Sequence, residues 1–206
     1  MKERPILFSA PMVRAILSGT KTQTRRLWKL PRGCNWYAEM GGEREGWFVD
    51  HGAPWWLHAT ECRCPYGVPG DRLWVREAFS GPHSVDGLPP SEWNPCAWNC
   101  PIWYWADGNP IQGDWTRPRP SIHMPRWASR ILLEVTAVRV ERLQEIKDED
   151  CIAEGISLHQ DHHHQPRSSN YGPYQTYRDL WNQINGPDSW DANPWVWVID
   201  FQRIKM

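Results

Sequence analysis

"RILLEVTAVRVERL", residues 130–143, is the stretch on which the fold turns. Ile131, Leu133 and Val135 recur with the period of a strand that buries one face. Past Val135 the alternation lapses, which predicts a bend or bulge. The C-terminal "PWVWVIDFQRI", residues 194–204, is apolar on both faces from Trp195 to Ile199, as suits a strand covered on both sides where a sheet curls closed. Three shorter strands are expected. They are "PILF" at 5–8, Thr-rich "KTQTRRL" at 21–27, and the segment after the Pro69-Gly70-Asp71 turn, where Leu73 and Val75 share a face.

Helices punctuate these strands. "SAPMVRAILSGTK" has Ser9 to cap, Pro11 for the first turn, one face of Val13, Ile16 and Leu17, and Gly19 to end it. "KDEDCIAEGI" reads as a short helix capped by Asp148 and ended by Gly155. "YQTYRDLWNQINGP" places Tyr177, Leu180, Trp181 and Ile184 at helical spacing before a Gly-Pro stop. Together the elements predict an α+β fold in a single domain, 1–206. It is a small mixed β-barrel with short helices and long irregular insertions at about 31–66, 80–120 and 157–173. The last insertion has the polar composition of a mobile loop.

Bulk composition excludes several classes. Apolar residues at 40% and charged residues at 23% are those of a folded chain, not a disordered one. A net charge of −1 means that nucleic-acid affinity must come from a local patch. No apolar run approaches a membrane span, and "MKERPILF" lacks the apolar centre of a secretory leader, so a cytoplasmic protein without membrane contact is expected. The six cysteines are then expected to be reduced. The anomaly is tryptophan, with 16 against 4 Phe and 6 Tyr. Most should be structural, and two or three should line a site where flat rings stack.

"SGTKTQTRRL", residues 18–27, interleaves Thr20, Thr22 and Thr24 with Lys21, Arg25 and Arg26. As a solvated strand face it would do nothing. A lysine held neutral by burial and by neighbouring cations can instead activate a hydroxyl, and arginines can hold a carbonyl oxygen or a phosphate. Strand periodicity sets a condition. A flat strand points Lys21 and Thr24 to opposite faces, so they meet only if the chain breaks its alternation near Thr22.

Other candidates lie elsewhere. Residues 117–130 concentrate cations before a core strand, and His123, Arg126 and Trp127 there are candidate substrate contacts. Glu77 is a further candidate contact and a second choice of carboxylate. No metal or cofactor is expected. The alternative is a structural zinc held by Cys62, Cys64, Cys96 and Cys100, whose spacings depart from the usual knuckle. The run His162–His164 reads as solvated loop.

Five segments, in order, resemble the ASCH superfamily, and within it the phage- and prophage-encoded branch with long insertions. They are "PMVRAILSGTKTQTRR", "PGDRLWVRE", "ILLEVTAVRVERLQEI", "DEDCIAEGI" and "WVWVIDFQRI". The resemblance implies a PUA-like barrel. It also implies an amidohydrolase that removes the acyl group of N4-acetylcytidine and related nucleosides, with Lys21 as base, Thr24 as nucleophile and Glu154 completing the site. Arg25 and Arg26 are then expected to contact the substrate. The residues lean towards this enzyme. The alternative is a non-catalytic module that binds RNA or modified nucleic acid, or a nuclease.

Overall fold

The computed structural model describes residues 1–28, 34–38, 45–49, 57–58, 64–93, 101–156 and 172–204. It is α+β. The strands are β1 (Glu3–Leu7), β2 (Gln23–Leu27), β3 (Cys34–Ala38), β4 (Glu45–Val49), β5 (Leu57–His58), β6 (Arg72–Arg76), β7 (Phe79–Ser80), β8 (Trp103–Tyr104), β9 (Leu132–Arg142) and β10 (Trp195–Ile204). The helices are α1 (Ala10–Leu17), α2 (Asp148–Ala153) and α3 (Pro173–Asn185).

The main sheet has the order β1-β6-β9-β10-β2. β1 runs parallel to β6, and the other neighbours are antiparallel. The expected barrel does not close among the described residues. β1 and β2 remain the edges, because α1 carries the chain from one to the other. A side chain spans the gap instead: Arg26 Nη2 donates to the Leu7 carbonyl at 2.6 Å.

β10 lies inside the sheet, between β9 and β2, and is buried on both faces, as its sequence demands. Trp197, Ile199 and Phe201 pack on one side with Phe8, Val13, Ile16, Leu73, Leu133 and Val135. Val196 and Val198 pack on the other with Cys151, Tyr177, Trp181 and Trp190. The expected irregularity in β9 is a bulge. Asp200 pairs with Ala137 and Phe201 with Val135, which leaves Thr136 as the extra residue. That one residue changes the parity of the strand, so Val138 and Val140 pack on the same cluster as Leu133 and Val135.

Local details differ from the expectations. Ser9 stands at the N-cap of α1, but its hydroxyl makes no cap bond. Asp148 is the first helical residue of α2, not its cap. The cap is Lys147, whose N–H donates to Asp150 Oδ2 at 3.2 Å. Two insertions carry structure of their own. Residues 34–58 contribute the antiparallel sheet β3-β4-β5. The stretch from Phe79 to Ala128 has the β7-β8 pair and a satellite core of Phe79, Val85, Trp93, Met124 and Ala128. The loop expected at 157–173 lies outside the described residues except at its end, where Gly172 caps α3 and Pro173 begins it. Among the described residues, no helix is long and apolar enough to cross a membrane.

Candidate active site

The end of α1 sets the geometry. Gly19 takes φ +80°, and the Ala15 carbonyl then accepts the N–H groups of both Thr20 and Lys21. Thr22 is tied on both sides: its N–H donates to the Ala153 carbonyl at 2.8 Å, and its carbonyl accepts from Phe201 N–H at 2.9 Å. Regular pairing with β10 begins only at Gln23. Lys21 therefore sits outside the ladder, in an isolated antiparallel bridge with Glu154.

The alternation does break here. Lys21 Nζ and the Arg26 guanidinium both approach the Phe8 ring, at 5.6 and 5.1 Å from its centroid. A flat strand would put residues 21 and 26 on opposite faces. Thr24 and Arg26 pair with Ile199 and Trp197, whose side chains face the Phe8 cluster. The Lys21 amine and the Arg26 guanidinium thus share the Phe8 ring, while the three hydrogen bonds of Lys21 go to Gln23 and Glu154 and not to Thr24.

Lys21 is 2% exposed and uses three donors: to the Gln23 carbonyl at 2.8 Å, the Glu154 carbonyl at 2.8 Å and Glu154 Oε2 at 2.6 Å. Burial pushes its amine below the ordinary lysine value. Glu154 works against that shift, and the nearby Arg26 and Arg25 work with it. Gly155 makes the approach possible. It adopts φ +88°, and a Cβ there would lie 2.9 Å from Ala15 Cβ and 3.1 Å from Lys21 Cβ.

The other oxygen of Glu154 lies 3.4 Å from the Tyr177 hydroxyl and 3.7 Å from Arg25 Nη1. Arg25 is itself held by Gln23 Oε1, by Glu141 at 3.2 Å and by Asp150 at 3.3 Å. Burial pushes the Tyr177 phenol well up, helped by Glu154, so the hydroxyl keeps its proton. Burial also pushes the Cys151 thiol up to about 12, which removes it as a nucleophile.

A pocket of about 230 Å³ runs beside edge strand β2. Its polar wall is Thr24, Arg25, Arg26, Glu154 and Tyr177, and α3 supplies an apolar wall of Leu180, Trp181 and Ile184. Because β2 is an edge, side chains from both of its faces reach the same space. Lys21 is not part of the lining and meets it through Glu154. The arrangement combines a hydroxyl, a carboxylate bonded to a buried lysine, and cationic donors, which is the equipment of acyl transfer.

The remaining predicted residues do not line this pocket. Glu77 accepts two bonds from Arg130, at 2.9 and 3.0 Å, and Arg130 also binds Asp107. His123 is exposed on a short helical turn. Arg126 pairs with Glu3 at 2.8 Å, and Trp127 is an exposed neighbour. Cys64 is buried in the main core, while Cys62, Cys96, Cys100 and His162–His164 lie outside the described residues. No cluster able to hold a metal ion occurs among the described residues. Tyr177 escaped the sequence-based site because its helical spacing reads as core. No family model, curated protein or solved structure matches the chain.

Proposed function

We propose that the protein is an amidohydrolase that removes the acyl group from N4-acylated cytosine nucleosides of the N4-acetylcytidine type. One observation carries this: Thr24 lines the same pocket as Glu154, and Glu154 is bonded to the buried amine of Lys21. The likeness of the surrounding segments to the ASCH amidohydrolases supports it. So does the pairing of a polar wall with an aromatic and apolar one, which suits a flat base bearing an amide.

Chemically, the reactive form has Lys21 neutral, and burial favours that form. Thr24 Oγ attacks the acyl carbonyl carbon while its proton passes to the Lys21–Glu154 pair. The C–N bond then breaks, and the same pair returns the proton to the departing exocyclic amine of cytosine. Water hydrolyses the acyl-threonine ester by the reverse use of the pair. Each step conserves the proton within two side chains that already share a 2.6 Å hydrogen bond. No metal takes part. The PUA-like architecture belongs to the same proposal, with the five-stranded sheet β1-β6-β9-β10-β2 as its core.

The test is to incubate the protein with N4-acetylcytidine and follow the ultraviolet change as cytidine forms, with Lys21→Ala and Thr24→Ala alongside. Turnover lost in both variants is the expected result. Turnover kept in both would retain the enzyme and discard this site. No turnover, with salt-sensitive RNA binding, would make the chain a nucleic-acid reader.

A further inference from the structure

We propose that Arg26 is a catalytic residue, holding the carbonyl oxygen of the substrate amide as it becomes an oxyanion; this rests on the amidohydrolase function proposed above. Three cations surround the polar wall, and two are already answered. Lys21 is matched by Glu154 at 2.6 Å. Arg25 is matched by Glu141, Asp150 and Glu154. Arg26 has no carboxylate within ion-pair distance among the described residues.

Its side chain is nevertheless fixed. Nη2 donates to the Leu7 carbonyl at 2.6 Å, and the guanidinium lies 5.1 Å from the Phe8 ring centroid. Nε is buried and has no hydrogen-bond partner. A buried N–H without an acceptor costs about 1–3 kcal/mol. The Nε atoms of Arg25, Arg76 and Arg119 share this condition, so what sets Arg26 apart from Arg25 and Arg119 is its lack of a carboxylate partner among the described residues, and from Arg76 its place in the pocket lining. Arg26 lines the pocket, where an oxygen ligand would meet a guanidinium that no carboxylate among the described residues neutralises.

Position makes that oxygen the reacting one. Thr24 and Arg26 stand two residues apart on the same face of β2, a separation of about 6.6 Å along a strand. That span accommodates a hydroxyl oxygen, the carbonyl carbon it attacks, the carbonyl oxygen and a guanidinium donor in sequence. As the Thr24 Oγ–carbon bond forms, the carbonyl π pair moves to the oxygen. Arg26 stabilises that charge by hydrogen bonding and keeps its own protons. Collapse of the intermediate returns the pair to the C=O bond and expels the cytosine amine, protonated by the Lys21–Glu154 pair. Donors fixed before the reaction lose no energy to reorganisation, and this makes them effective.

A phosphate on the ribose is the other source of anionic oxygen, so the experiment separates the two. Steady-state rates are measured on N4-acetylcytidine and on its 5′-monophosphate, for the unmodified chain, Arg26→Lys and Arg26→Ala. Expected is a fall in kcat on the order of 10²–10³-fold with KM little changed, equal for both substrates. Ethylguanidinium added to Arg26→Ala should restore part of kcat, an effect that a merely structural role would not give. If Arg26→Ala does not fold, Arg26→Lys carries the test. An unchanged kcat, or an effect confined to KM for the monophosphate, overturns the proposal while the amidohydrolase function stands. No turnover of either substrate by the unmodified chain overturns that function, and this inference with it.

Discussion

Among the carboxylates almost withdrawn from water are Glu154, at 6% exposure, and Glu77, at 1%. Each is paired with a cation, but the surroundings differ. Glu77 takes both of its strong bonds from Arg130, whose guanidinium also binds Asp107 and stacks on Tyr104 at 4.0 Å. Every group there has its complement, and Glu77 does not line the pocket beside β2. Glu154 divides its oxygens between Lys21 on one side and Tyr177 and Arg25 on the other, and its carboxylate faces an open pocket. Burial alone therefore does not mark function. On the function proposed above, what distinguishes Glu154 is a buried carboxyl next to space for a ligand.

The contrast can be broken at both ends. The largest effect is expected on catalysis. Thr24→Val should reduce kcat for N4-acetylcytidine by at least roughly 10³-fold, while Glu77→Gln leaves it within about twofold, both read in the same ultraviolet assay. A large loss from Glu77→Gln would erase the distinction between the two carboxylates.

Next comes stability. Lys21→Met leaves the buried Glu154 carboxyl without its 2.6 Å partner and frees the Gln23 and Glu154 carbonyls, and should cost about 3–5 kcal/mol in urea unfolding at neutral pH. Arg130→Met should cost less. Glu77 is already shifted towards its protonated form by burial, against the pull of Arg130, and can take up a proton when the arginine goes. Equal losses would show that the two pairs are held in the same way.

The smallest effect is in pH dependence, and the signs oppose. Burial lowers the Lys21 amine below its ordinary value of 10.5, so between the lowered value and 10.5 the unfolded chain holds a proton that the folded chain has released. Stability gains from this group as pH rises through that window. Burial raises the Glu77 carboxyl above 4.5, so there the folded chain holds the extra proton. Stability loses from Glu77 as pH climbs from 4.5 through the raised value. Urea midpoints measured across pH should show the acid-side loss flattened in Glu77→Gln and the alkaline-side gain flattened in Lys21→Met.

Much of the framework was legible because burial writes a period into the sequence. The two-sided apolar run of β10, the alternation of β9 and its lapse after Val135, and the spacing of α1 and α3 all correspond to elements found. Closure of the sheet was not legible: whether two edges meet depends on how α1 spans them, which no local pattern records. The β3-β4-β5 sheet was missed because its stretch, rich in Gly, Trp and Pro, shows no period, and its pairing rests on backbone bonds that residue type does not reveal.

At the candidate site, Glu154 is bonded to Lys21 and lines a pocket together with Thr24. Their helpers are not neighbours in sequence. Glu141, Asp150 and Tyr177 come from three elements and meet only through Arg25 and Glu154. The opposite case is as instructive. Residues 117–130 are dense in cations, yet Arg119, Arg126 and Arg130 are spent on Asp86, Glu3 and Glu77. Local density of charge measures opportunity and says little about which charges stay free.

The Lys21–Glu154 bridge also has a kinetic meaning. Its partners are 133 residues apart in the chain. Neither α1 nor α2 can form the site alone, and closing a loop of that length is among the costlier steps on the way to the native state. Collapsed intermediates that contain the helices but have not joined them would be inert. Recovery of catalysis after dilution from denaturant should therefore lag behind recovery of helical signal, and its time course would report the docking of the two ends of the chain.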